Sequence, residues 1–103
     1  MIGNTLRLLR KIHGKTLKEM AYDLGVSPSY VSAIENEKRK PSLELLEKYA
    51  KIFDMSLNGL LFFYEEIKRE ESVGPLEKKS RPLFYSALKI LEKIASKNDG
   101  DRN

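Results

Sequence analysis

Signals that begin and end helices lie unusually close together in one part of this chain, and they constrain its fold more than any other feature. A capping box joins Thr16 and Glu19: the Thr16 hydroxyl can accept from the Glu19 amide while the Glu19 carboxylate accepts from the Thr16 amide. Gly25 can adopt the left-handed backbone that ends a helix. Ser27 and Pro28 then supply an N-cap and a first helical residue. The sequence therefore predicts a short helix, a tight turn and a second helix directly after it.

Hydrophobic residues recur at helical spacing on both sides of this pair, which predicts an all-α fold. The predicted apolar stripes are Leu6, Leu9 and Ile12 in a first helix; Leu43, Leu46, Ala50 and Phe53 in a fourth; and Leu57, Leu60, Leu61, Phe63, Tyr64 and Ile67 in a fifth. A last helix is predicted from Leu83 to about residue 96. We expect a domain at 1–69, a linker at 70–82 rich in Gly, Pro and charge, and a C-terminal helix with a disordered tail at 83–103.

Composition excludes several classes of function. The 103 residues contain no cysteine, which removes disulfides, thiolate metal sites and cysteine nucleophiles. His13 stands alone, without the further ligands that a metal site requires. No phosphate-binding loop or catalytic triad is present, and no apolar run approaches the ~20 residues that cross a bilayer. We therefore expect a cytoplasmic protein that is not an enzyme, with no cofactor and no membrane partner, and its net charge of +4 weakly favours a polyanionic partner.

The two short helices have the residue types of a helix-turn-helix. Ala21 allows the helices to cross closely, Gly25 permits the turn, and Val31 and Ile34 bury one side of the second helix. The opposite side carries Pro28, Ser29, Tyr30, Ser32, Ala33 and Asn36. That outward side is the candidate binding face.

Residues 2–67 resemble the Cro and phage-repressor type of helix-turn-helix regulators. The resemblance is carried by Ile2–Gly3, Leu6–Arg10, Thr16–Ala21, Leu24–Ser27, Ser29–Asn36, Pro41–Glu44 and Ser56–Leu61 together. It implies a five-helix repressor-like domain whose third helix enters the major groove of double-stranded DNA. The positions matching base-reading residues are Pro28, Ser29, Ser32 and Ala33, and those matching phosphate contacts are Leu17 (through its amide), Tyr30, Asn36, Lys38 and Arg39. We add Lys15, Lys18 and Lys40 to the phosphate set because of their charge and position.

The third helix departs from the family in the side chains that it presents. Many members carry Gln where Leu17 stands, and many present Gln, Arg or Asn to the bases. Hydroxyls and a methyl group cannot make the bidentate pairings that Arg makes with guanine or Gln with adenine. We therefore expect thymine methyl contacts and DNA shape to contribute much of the specificity. The resemblance also implies a partly buried ion pair between Arg10 and Glu35 that fastens the first helix to the third.

The apolar cluster at 60–64 is too long for one buried helix face, and the last helix has a stripe too isolated for its own core. We expect these surfaces to form a two-fold dimer interface built from Leu60, Phe62, Phe63, Tyr64, Ile67, Phe84, Leu88, Leu91 and Ile94. The alternative is that the last helix folds back over its own domain.

The sequence thus predicts a regulator, a repressor that binds a pseudo-palindromic operator as a homodimer. A second hypothesis is a protein-interaction module, such as the antitoxin of a toxin-antitoxin pair, that binds a partner protein through residues 57–95.

Overall fold

A computed structural model describes residues 2–72 and 82–97, with side-chain positions for 2–70 and 87–97. These residues form only helices and their connections, as predicted. The helices are α1 (Gly3–Ile12), α2 (Leu17–Leu24), α3 (Pro28–Glu35), α4 (Leu43–Ile52), α5 (Leu57–Ser72) and α6 (Pro82–Lys97). The first five form the predicted helix-turn-helix domain, and α6 is the additional C-terminal helix.

The predicted helix boundaries are confirmed by the hydrogen bonds that cap them. The Thr16 Oγ1 accepts from the Glu19 amide at 3.0 Å, and the Thr16 amide donates to the Glu19 carboxylate at 2.9 Å. Gly25 has a φ of 76°, the left-handed conformation expected at the end of α2. The Ser27 Oγ then accepts from the Tyr30 amide at 3.1 Å at the start of α3. Each boundary of the turn is therefore set by the residues nearest to it.

One hydrophobic core lies between α1, α2, α3, α4 and the start of α5. Tyr49 is its largest fully buried side chain. The stripe predicted for α4 is wrong at Leu43, whose side chain is 61% exposed, whereas Leu45 and Tyr49 are buried. Leu43 is the first residue of α4 and lies between exposed residues, so it precedes the part of the helix that reaches the core.

The C-terminal part of the described chain packs on α1. Helix α5 continues to Ser72, past the boundary predicted at 69, and residues 73–81 of the predicted linker lie outside the described residues. Helix α6 contacts α1 and buries Leu88 and Ala95. This is the alternative in which the last helix folds back over its own domain. In neither described range is a helix both long enough and apolar enough to cross a membrane.

Candidate nucleic-acid interface

Helix α3 presents the predicted base-reading residues on its outer side. Pro28 and Ser29 are exposed, and Ser32 and Ala33 are half-buried at the edge of the same surface. Val31 and Ile34, on the opposite side, are almost completely buried in the core. The start of α3 is therefore accessible to solvent.

Helix α1 holds the end of α3 in place through two contacts. The guanidinium of Arg10 donates to both carboxylate oxygens of Glu35, at 2.6 and 3.0 Å, and also donates to the Lys15 carbonyl at 2.7 Å. Both charged side chains are buried, and the bidentate geometry satisfies them mutually. At the other end of α1, Gly3 passes so close to α3 that a Cβ atom there would lie 2.3 Å from the Ile34 carbonyl oxygen. The predicted ion pair is therefore present, and Gly3, to which the sequence analysis assigned no role, supplies a second contact between α1 and α3.

Hydroxyl and amide groups on the outer side of α3 contact one another. The Ser27 and Ser29 hydroxyl oxygens are 3.3 Å apart, and the Asn36 side-chain amide donates to the Ser32 Oγ at 3.2 Å. Asn36 was expected to contact phosphate, but in this structure its amide is bound to a predicted base reader. The surface formed by the four predicted base-reading residues is therefore rich in hydroxyl groups, and none of the four has a long side chain.

The loop after α3 folds back on the helix that precedes it. Glu37 has a φ of 63°, and the amides of Lys38 and Arg39 both donate to the Ala33 carbonyl, at 2.9 and 3.3 Å. The guanidinium of Arg39 lies over the ring of Tyr30, 5.4 Å from its centroid. The loop cations are therefore placed beside the outer side of α3.

The other residues predicted to contact phosphate differ in their exposure and in the groups that they contact. Lys18 and Lys40 are exposed, as such a contact requires. The Lys15 ammonium forms an ion pair with Asp23 at 2.9 Å, which a phosphate would have to displace. Leu17 packs its side chain on the core, so its contribution is limited to the backbone amide in the first turn of α2.

Lys48 belongs to the same surface, although the sequence did not single it out. It lines an open depression of about 420 Å³ with Val26, Ser27, Tyr30, Ser42, Glu44 and Leu45. The first turns of α3 and α4 both border this depression, and helix N-termini attract anions. Lys48 is remote in sequence from the turn and no motif marks it, so only the packing of α4 on α3 could reveal its position.

The hydrophobic core contains one fully buried tyrosine, Tyr49, with an unusual environment. Among the described residues, the Tyr49 hydroxyl has no hydrogen-bond partner. Burial raises the pKa of this hydroxyl well above its ordinary value, and the nearby Glu35 charge raises that pKa further. Tyr49 therefore stays neutral under ordinary conditions. No cluster of three or more metal-ligating side chains occurs in the described part of the chain.

The residues predicted at a dimer interface do not form one exposed surface. Leu60 is 0% exposed, so its side chain belongs to the core and offers nothing to a second copy in this fold. Ile67 and Leu88 are also buried within the single chain, where both lie beside residues of α1. The remaining residues are half-buried or exposed, namely Phe63, Tyr64, Leu91, Phe62 and Ile94. The side chain of Phe84 lies outside the described residues.

Comparison with known proteins shows that the sequence of this helix-turn-helix matches a protein family. The sequence pattern of the family HTH_3, described as helix-turn-helix, matches residues 6–60, which include all of α2, the turn and α3. The chain belongs to this helix-turn-helix family. Its similarity to the Cro and phage-repressor type, first indicated by the residues at 2–67, is thereby confirmed.

Several regulators of this helix-turn-helix family are similar to the chain over most of its length. The HTH-type transcriptional regulator SinR of Bacillus subtilis (strain 168) is 36% identical over 89 residues, covering 85% of this chain and 78% of SinR. SinR of Bacillus licheniformis is 42% identical over the same shares. A chain of the solved SinR protein/SinI protein complex matches with a TM-score of 0.54 and 30% identity, covering 90% of this chain and 99% of that one. The chain is a helix-turn-helix DNA-binding regulator of transcription.

Proposed function

We propose that the protein is a repressor that binds a pseudo-palindromic operator as a homodimer, with α3 in the major groove. The observation that supports this most directly is the exposed outer side of α3, bordered by the cations of the loop at 38–40 and by Lys48. By occupying its operator, such a protein would block access of the polymerase.

Electrostatics favours docking in this orientation. The first turns of α3 and α4 border the depression that Lys48 lines, and the exposed cations Lys38, Arg39 and Lys40 follow α3 in the next loop. Backbone amides and basic side chains at a groove edge position a protein on phosphates without reading sequence. The bases would then be read by Pro28, Ser29, Ser32 and Ala33, with DNA shape contributing because these side chains are short.

The salt dependence of DNA binding tests this proposal. Fluorescence anisotropy with a labelled duplex of mixed sequence would give the slope of log K against log salt, which reports the number of phosphates neutralised. We expect Arg39→Ala to lower that slope by about one. Lys93→Ala is the matched control, because Lys93 is also exposed but lies on α6, which packs on α1. Equal slopes for both variants would contradict the orientation, and selection of bound duplexes from a random pool would then define the operator.

Dimerisation is tested at Phe62, which is 66% exposed, the most of the predicted interface residues whose side chains are described. Phe62→Glu should shift the protein toward monomer in sedimentation without unfolding it, because the ring contributes little to the core of its own chain. Phe63 is less suitable, because it packs against that core. If the Phe62→Glu variant is still dimeric at low concentration, this surface of α5 is not part of the dimer interface.

A protein partner is the second candidate, because SinR was solved in a complex with the SinI protein and covers most of this chain. Exposed apolar side chains at Phe62, Ile90 and Ile94 would suit such a partner. If the duplex shows no salt-sensitive binding while a purified partner forms a stable complex, this second function replaces the first.

A further inference from the structure

We propose that Tyr30 is a positioning residue, whose ring holds the Arg39 guanidinium toward the DNA backbone, and that its hydroxyl makes no required phosphate contact. This inference rests on the proposed function and adds a role that family resemblance did not indicate, since resemblance placed Tyr30 among the phosphate contacts themselves. The role follows from the backbone of the loop, from the burial of the ring and from its distance to Arg39.

The backbone after α3 brings Arg39 back beside Tyr30. The left-handed conformation at Glu37 reverses the chain, and the amides of Lys38 and Arg39 then donate to the carbonyl of Ala33. Ala33 follows Tyr30 by three residues, so the two lie on neighbouring turns of the same helix face. The start of the Arg39 side chain is therefore fixed about one helical turn from the tyrosine ring.

The ring of Tyr30 is suited to act as a platform because it is itself held in place. It is half-buried and packs against the hydrophobic core, while the exposed Arg39 lies over it at 5.4 Å from the ring centroid. That distance is within the ~6 Å at which a guanidinium is attracted to an aromatic face. Arginine has many rotamers, and holding it before DNA arrives reduces the conformational entropy lost on binding.

Removing the hydroxyl of Tyr30 and removing its ring should have different effects on DNA binding. Tyr30→Phe keeps the platform and should bind a labelled duplex of mixed sequence within about twofold of the parent. Tyr30→Leu keeps an apolar side chain on the core but removes the platform, and should weaken binding roughly two- to fivefold. Arg39→Ala should weaken binding by roughly eightfold at 0.1 M salt, the effect of one phosphate contact.

A double-mutant cycle tests whether Tyr30 acts through Arg39. In the Arg39→Ala background, Tyr30→Leu should cause no further loss, whereas in a Lys38→Ala background its effect should remain complete, because Lys38 carries the same charge on the same loop without the ring contact. In the protein without DNA, the side-chain protons of Arg39 should show a ring-current shift by NMR that Tyr30→Phe keeps and Tyr30→Leu removes. A merely structural role for Tyr30 would not produce this pattern.

Three results would overturn the inference. Equal losses for Tyr30→Phe and Tyr30→Leu would assign the contact to the hydroxyl, and additive losses for Tyr30→Leu and Arg39→Ala would separate the two residues. Both outcomes leave DNA binding by the parent protein intact, so the proposed function would survive. A parent protein without salt-dependent DNA binding would refute the proposed function and the positioning role together. Thermal unfolding of every variant shows whether the fold itself is retained.

Discussion

Replacing Gly3 by alanine should destabilise the protein, although helix propensity alone predicts the opposite. Glycine within a helix costs roughly 0.5–1 kcal/mol relative to alanine, so the substitution would stabilise an isolated helix. In this fold, however, the added Cβ would lie 2.3 Å from the Ile34 carbonyl oxygen and 2.9 Å from that of Glu35. Both neighbours are backbone atoms of α3, which cannot rotate away as a side chain does.

The cost follows from the distance by which the helices must separate. Ordinary contact begins near 3.4 Å, so relieving a 2.3 Å approach requires a shift of about 1 Å between α1 and α3. Overpacking of this kind costs about 1–3 kcal/mol, which exceeds the gain in propensity. We therefore expect a net loss of about 1–2 kcal/mol, and a melting temperature lower by roughly 4–8 °C for each kcal/mol.

Gly59→Ala provides the matched control. Gly59 also lies in the first turn of a helix, but its added Cβ would meet the Ser56 hydroxyl at 3.2 Å, a side-chain atom that can move by a few tenths of an ångström, and the Met55 Cβ at an ordinary contact distance of 4.0 Å. Urea unfolding followed by circular dichroism should show Gly3→Ala clearly below the parent and Gly59→Ala close to it. A Gly3→Ala protein as stable as the parent would refute the argument that the close approach of backbones requires glycine here.

Three further predictions concern the interior and one helix cap. Tyr49→Phe should leave the free energy of unfolding unchanged or raise it by up to about 1 kcal/mol, because it removes a buried hydroxyl without a described partner; a clear loss in urea unfolding would show that the hydroxyl is bound. Arg10→Met should cost about 3–5 kcal/mol by the same measurement, and adding Glu35→Leu should recover much of that loss, whereas an equal or larger loss in the double variant would contradict the ion-pair argument. Thr16→Ala should cost about 1 kcal/mol by loss of its cap, and thermal unfolding should show it; no change would mean that the cap is dispensable.

Local chemistry explains which parts of this structure were predictable. A capping box acts between residues three positions apart, and the left-handed conformation at Gly25 depends on a single residue. Such signals are written in the adjacent sequence, so the ends of α2 and the start of α3 were placed correctly. The buried side of α3 was also predictable, because Val31 and Ile34 are three residues apart in a helix whose start is marked by the Ser27 cap.

Contacts between distant segments could not be predicted in the same way. The requirement for Gly3 depends on how closely α1 crosses α3, and the position of Lys48 depends on how α4 packs on α3. Leu43 follows the correct spacing but lies at a helix end outside the core. The burial of Leu88 requires α6 to return to α1 across a segment that carries no signal for that path. The periodic pattern shows which face of a helix is apolar, but not which surface covers it.

Helix α3 is held at its two ends by different parts of the chain. Variants that weaken the fold can therefore be distinguished from variants that lose a DNA contact. The start of α3 follows the turn, where the Val26 amide donates to the Ala21 carbonyl at 3.0 Å, and its end is held by α1 through Gly3 and the bidentate pair of Arg10. Helix α1 needs no contact with DNA to hold that end in place. A change at Gly3 or Arg10 should therefore shift the end of α3 and lower affinity through the fold, with the salt slope unchanged, whereas a change at Arg39 should lower the slope and leave the fold stable. Because the two effects differ in kind, unfolding and salt titration together assign any weakened variant to one cause or the other.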